Sequence, residues 1–332
     1  MKSDFFKLKK ETQFGAWLLL GFLGFLVYDQ IFYWQNKEDY SFGFLVPLFV
    51  GYVLFERWPA IKGYMLGTDT AKRSYYGGPL MTVTTIVMGV GLVLSLLAFG
   101  LGGVLRVQGP SNLASLLIAS GFAGIALGMV YFNTDQDVTG RRLAWKERMS
   151  ATLLFLFPAL AWLISAPLVM FMDSTAKLIL LEYVTTIVYN VFNFLGFTII
   201  QERNVLVLPL GRVGVEDACS GIRSLTACIF AGSFLAAVFI DKFWKKVLLV
   251  CIAMVFAFFT NILRSLFLTG WSYAYGPEAI EGTVHDVAGY AVLGITSLLL
   301  IALLPIFNFT IAPPDEEESI ENKPIEGTHS KS

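Results

Sequence analysis

Charge is scarce in this chain: Asp, Glu, Lys and Arg together make up 15% of its residues, while 56% are hydrophobic. So little charge cannot clothe the surface of a soluble domain, and the composition places the protein in lipid. The net charge of -1 excludes a nucleic-acid partner, because phosphate binding needs a basic surface and the cations here are scattered between apolar runs. Cysteine occurs three times, at Cys219, Cys228 and Cys251, too few for a disulfide framework. Cys219 and Cys228 on one helix would stand about 13 Å apart, beyond bridging distance. Histidine is rarer still. With only His285 and His329, and no His-Glu-x-x-His, a zinc enzyme lacks its ligands, and no metal or cofactor is expected.

What the chain does hold is a succession of apolar runs. Residues 14–28 follow a Lys-rich start with no small-residue cleavage site, which predicts an uncleaved first span. Further spans are expected near 42–55, 79–101, 112–132 and 149–172, the last carrying Pro158 and Pro167 and therefore kinked. Three more are expected near 221–240, 244–268 and 285–307. Segment 174–196 is apolar enough to span. Leu181, Val184, Val188, Val191 and Leu195 form a stripe interrupted by polar residues, which predicts a helix lying at the interface. Residues 198–200 and 204–208 read as short strands with a break at Pro209-Leu210-Gly211.

The expected fold is thus an all-α polytopic membrane protein of about eight transmembrane helices, forming one domain over 1–312. A small extracytoplasmic segment at 173–220 holds the interfacial helix and strands, and an acidic disordered tail occupies 313–332. Lys and Arg concentrate before the first span, in 56–78, in 133–148 and in the turn with Lys242, Lys245 and Lys246. These alternate with basic-poor segments, so both termini are expected in the cytoplasm.

Under this topology three reactive residue types meet the outer face: Cys219 at the mouth of the sixth span, Arg264 near the end of the seventh and His285 at the start of the eighth. A thiol attacks carbonyls as thiolate, and a helix amino terminus or an imidazole base promotes that form. His285 fits the base, and Arg264 fits either the stabiliser of charge developing on a carbonyl oxygen or the holder of a substrate carboxylate. Arg264 is alternatively a snorkelling anchor. Arg223, one turn after Cys219, rivals it. Asn261 shares its face, either bracing it or bonding between helices. Glu216 and Asp217 disfavour a thiolate, and either orient His285 or meet a positively charged substrate segment. Asp286 points away from its neighbour His285 and is a poor candidate for orienting it.

At Ala218-Cys219-Ser220-Gly221-Ile222-Arg223-Ser224-Leu225 the chain resembles the exosortase/archaeosortase family of membrane transpeptidases. The likeness continues at Asn261-Ile262-Leu263-Arg264 and Val284-His285-Asp286-Val287-Ala288-Gly289-Tyr290. It reaches upstream to Tyr40-Ser41-Phe42-Gly43-Phe44-Leu45-Val46-Pro47 and Ser165-Ala166-Pro167, covering most of 40–305. The resemblance implies Cys219 as nucleophile, with Arg264 and His285 completing the catalytic set. It implies as partners secreted proteins bearing a carboxy-terminal sorting signal, made of a short motif of the PEP-CTERM kind, one transmembrane helix and a basic cluster. It further implies cleavage near the motif and transfer to a lipid or polysaccharide acceptor at the cell surface, within membrane lipid. Bacterial members are associated with exopolysaccharide production. Phe42 stands where the resemblance leads one to expect histidine. The rival classes are a multi-pass transporter and a non-catalytic membrane scaffold; no internal repeat favours the first, and the polar groups gather at one face instead of the midplane.

Overall fold

Apolar runs of this length leave their backbone no water to bond, so they fold as helices that satisfy their own N–H and C=O groups. The computed structural model describes residues 5–66, 78–167, 177–214 and 222–308, apart from the side chains of residues 38, 39, 177, 222–224 and 308. In order these form α1 (Lys10–Asn36), a 3-10 segment (Glu38–Leu45), α2 (Val46–Leu66), α3 (Pro79–Val107) and α4 (Asn112–Asn133). There follow α5 (Trp145–Leu154), α6 (Leu156–Ile164) and α7 (Lys177–Phe194), and then strands β1 (Ile200–Glu202), β2 (Val205–Leu208) and β3 (Gly211–Gly214). The chain closes with α8 (Ile222–Phe239), α9 (Phe243–Tyr275), a 3-10 turn (Pro277–Ile280) and α10 (Thr283–Asn308). The protein is an all-α polytopic membrane protein with one small sheet. Among the described residues six helices are long and apolar enough to cross a membrane, and the α5–α6 pair, bent by 40°, makes a seventh. The remaining expected span is α8, of 18 residues, and α7 is also of 18 residues. The acidic tail at 313–332 lies outside the described residues.

Four helices, α1, α2, α3 and α9, run past their expected ends, and in α1 and α2 tertiary partners satisfy the polar residues there. α1 continues eight residues beyond Tyr28 to Asn36 and buries Asp29 and Gln30 completely. Arg106 of α3 pairs with Asp29 at 2.6 Å. Gln30 donates to the Trp162 carbonyl and accepts from the Ser165 hydroxyl, both at 2.8 Å. α2 likewise continues to Leu66, carrying Arg57 inside it. Pro158 has no N–H to give the carbonyl four residues earlier, and that carbonyl, on Leu154, accepts from Arg57. The other arm of the guanidinium donates to the Ala237 carbonyl at 2.7 Å, in the last turn of α8, where helix carbonyls lack helical partners. One arginine therefore ties α2, the bend and the end of α8 together. α3 and α4 pack closely, since a Cβ on Gly121 would stand 2.6 Å from the Phe99 nitrogen.

The loop 134–144 folds back on the end of α2, with the Val138 N–H bonded to the Met65 carbonyl at 3.1 Å. Asp137 organises it. Burial opposes its charge, but the Thr139 hydroxyl, the Arg141 N–H and guanidinium and the Thr139 N–H all donate to it, and they hold its carboxyl below the usual carboxylate range.

The sheet is antiparallel in the order β1-β2-β3, with Leu206 opposite Val213 and Glu202 opposite Val205. Two strands were expected, and the third is a correction. Pro209-Leu210 is a hairpin turn, and Gly211 belongs to β3, where a Cβ would come 2.6 Å from Cγ of Pro277. The first strand lies two residues later than expected, at Ile200–Glu202, because the next turn falls at Arg203-Asn204, with Arg203 at φ 55°. Leu181, Val184, Val188 and Phe192 of α7 pack with Leu206, Leu208 and Val213 of the sheet, Leu268 of α9 and Ala288 of α10. Phe192 takes the place expected for Leu195, which lies beyond the helix end and is 61% exposed. α7 and the sheet thus cap one end of the α9–α10 pair; Leu249, Ala253, Leu300 and Leu304 pack the other.

Candidate active site

α9 runs unbroken for 33 residues and ends at Gly276, φ 92°. Its buried polar residues Asn261, Ser265, Thr269 and Ser272 recur at steps of four and three, with Arg264 beside Ser265, so one polar stripe climbs one side of an otherwise apolar helix. After Gly276 the chain reverses through the 3-10 turn and Gly282, φ 65°, to start α10. His285 stands in the first turn of α10, and Gly289 one turn later, so both lie on one face. A Cβ on Gly289 would sit 3.5 Å from Nη2 of Arg264, so the guanidinium rests against bare backbone there.

This reversal brings two of the three expected catalytic residues into contact. Arg264 Nη2 lies 3.0 Å from His285 Nε2 and 3.4 Å from the His285 carbonyl oxygen. A guanidinium can only donate, so Nε2 accepts, and the ring in this geometry is neutral with its proton on Nδ1. Nδ1 lies 3.6 Å from Oδ1 of Asp286, which is 60% exposed. That separation is too long for a hydrogen bond, so Asp286 is a charged neighbour of the ring and not its clamp. Arg264 is only 5% exposed, and its Nε, like the Ser265 and Ser272 hydroxyls, has no hydrogen-bond partner among the described residues.

The pair borders two cavities, one strongly apolar and one of mixed lining. On one side a groove of about 460 Å³ runs between α9 and α10, walled by Leu263, Phe267, Trp271, Val287 and Ile295, with Arg264 in its lining. On the other a pocket of about 260 Å³ lies between β3 and the turn before α10, lined by Arg212, Val213, Gly214, Pro277, Glu281 and His285. Among the described residues no three His, Cys, Asp or Glu side chains lie close enough to hold a metal.

Of the other expected site residues, Asn261 is buried one turn below Arg264 on the same face. Cys219, Glu216 and Asp217 lie outside the described residues, and Arg223 is in α8 with its side chain outside the description. Cys228 is buried in α8 and Cys251 exposed on α9. The ring of Phe42 packs on Phe230 of α8 at 5.5 Å between centroids, in a cluster that includes neither Arg264 nor His285.

Compared with known families, residues 34–302 match the profile of the transmembrane exosortases (Exosortase_EpsH). The chain belongs to that family. Neither curated proteins nor solved structures give a match. In this exosortase the sequence reading missed the Asp29–Arg106 pair, the Gln30–Ser165 bond and the Arg57 tie. The signal was present in each: a charged or amide residue inside an apolar run asks for a partner.

Proposed function

We propose that this exosortase is a membrane-embedded cysteine transpeptidase or protease acting on the carboxy-terminal sorting signals of secreted proteins. The observation that carries the reading is the Arg264–His285 contact, bordering an apolar groove and a pocket of mixed lining. A substrate whose transmembrane helix continues into an extended segment would occupy the two in turn, with its scissile bond beside the pair.

Cys219 would supply the nucleophile. Only residues 215–221 separate β3, which shares the His285 pocket, from α8, so their reach is short at no more than about 3.5 Å per residue. His285 Nε2 takes the thiol proton once Arg264 turns from the imidazole to the substrate carbonyl. The thiolate attacks the carbonyl carbon, and Arg264 holds the negative oxygen. The C–N bond then breaks, His285 returns the proton to the departing amine, and a Cys219 thioester remains. An amine or hydroxyl of a lipid or polysaccharide acceptor, or water, releases it. Arg223, Asn261, Glu216 and Asp217 are assigned supporting or substrate-binding roles. We place the basic segments 56–78 and 133–148 and the Lys242–Lys246 turn in the cytoplasm together with both termini and the acidic tail, and the site outside, with 1–312 as one membrane domain and 173–220 as its external segment.

The test is a co-expressed secreted reporter ending in a Pro-Glu-Pro-type motif, a transmembrane helix and a basic tail. Processing by the wild-type protein and none by Cys219→Ala, at equal membrane levels, is expected. Equal processing by both would sink the mechanism.

A further inference from the structure

Resting on that reading, we infer that the edge of β3 is the substrate-binding strand, and that the extended part of the sorting segment pairs with it as a fourth strand. Among the described residues β3 is an edge strand, since the sheet order is β1-β2-β3. The turn Pro209-Leu210 closes on the pair Leu208–Gly211. In an antiparallel ladder bonded and non-bonded pairs alternate from such a two-residue turn, so Gly211 and Val213 direct their N–H and C=O groups to β2. Arg212 and Gly214 then direct theirs to the free edge. The β1–β2 hairpin, closing on Glu202–Val205, gives the complementary phase, with Leu206 turned toward Val213 and Val205 and Val207 toward β1.

Among the described residues the outward groups of Arg212 and Gly214 bond no other backbone. They border the pocket shared with His285. A row of unpaired donors and acceptors spaced along an edge is matched by another extended backbone, which makes a peptide the occupant. The opposite wall fits the same ligand. Pro277 lies against Gly211 and confines the strand's start, while Gly214 lines the pocket together with His285. A peptide on this edge has its side chains on alternate faces of the sheet and its main chain leading past His285 to the Arg264 groove.

The experiment uses the full-length protein in membranes, with the reporter described above. In a Cys219→Ala background, Arg212→Cys is tested for disulfide trapping against single cysteines placed at successive reporter positions ahead of the transmembrane helix; the Cys219→Ala protein without Arg212→Cys is the background control. Strand pairing predicts trapping at every second position, because directly opposed and diagonal partners share one face. In parallel, Arg212→Pro, which removes one outward N–H and leaves the β2 ladder intact, should lower processing roughly tenfold relative to Arg212→Ala, the loss of one hydrogen bond of about 1.4 kcal/mol. Trapping without the two-residue period, or no trapping, in cells where the wild type processes the reporter and Cys219→Ala does not, overturns the strand assignment and leaves the enzyme reading standing. Absence of Cys219-dependent processing takes both down.

Discussion

Replacing Arg264 with leucine separates a residue kept for chemistry from one kept for stability. The change removes a charge-assisted hydrogen bond to His285 Nε2, which contributes about 1.5–3 kcal/mol. It also removes a guanidinium that is 5% exposed, with Nε unpartnered among the described residues. Burying a charge so incompletely paired costs several kcal/mol, on the order of 2.5–3.5 kcal/mol by insertion scales for a helix centre in lipid. The new side chain would join Leu263, Phe267 and Val287 in an apolar groove. The two contributions oppose each other, so the net change should lie between a loss of about 0.5 kcal/mol and a gain of about 2 kcal/mol. Processing should fall by about 10²–10³, the loss seen when one donor to a developing oxyanion is removed. Arg264→Lys, which keeps the charge and loses the planar fork, should be crippled as well. Thermal unfolding in detergent and reporter processing, read on the same preparation, check both halves. A large drop in stability would make Arg264 a structural tie. Wild-type processing by Arg264→Lys, together with a dead Arg223→Ala, would hand the role to Arg223.

The contrasting case is Asp29→Ala, which strands Arg106 beside a buried site; it should cost about 3–5 kcal/mol, visible as a clear fall in unfolding temperature, and a neutral result would refute the pair's structural role. For orientation, Glu202→Cys at the β1–β2 turn should react with a membrane-impermeant thiol label in intact cells, whereas Val138→Cys in the loop 134–144 should resist it; both positions are exposed in the fold, and the reverse pattern overturns the topology.

The helices were legible because apolar runs in lipid have few alternatives, and α3 and α4 begin at the expected residues, Pro79 and Asn112. Their ends were less so. Cutting α1 at Tyr28 treated Asp29 as the start of water, but its partner lies 77 positions away on Arg106, beyond any local pattern. The third strand was hidden because Pro209 and Gly211 look like a break, and only the fit of Gly211 against Pro277 shows why glycine belongs inside a strand there. At the site, residue types were readable and contacts were not. Arg264 and His285 stood out as rare polar groups in an apolar chain, yet their 3.0 Å contact depends on how 276–282 reverses, and the pocket beside His285 depends on β3.

The position of the Arg264–His285 pair also bears on how a peptide bond at a membrane boundary becomes available for attack. Inside lipid a substrate helix keeps every N–H and C=O bonded within itself, and a bond so held is shielded from a nucleophile. Unwinding the helix at its end frees backbone groups whose desolvation is expensive unless partners wait for them. The fold offers an apolar wall along α9 and α10 up to Arg264, then, past His285, the edge of β3, which is unpaired among the described residues. A substrate crossing that junction would exchange helical bonds for ladder bonds over a few residues, its carbonyls turning outward beside a guanidinium whose Nε has no partner among the described residues. In the proposed mechanism the reaction would thereby be confined to bonds just outside a hydrophobic helix. A soluble peptide lacking that helix would gain the strand contacts alone and, without the groove to fix its register, would present no particular carbonyl to Arg264.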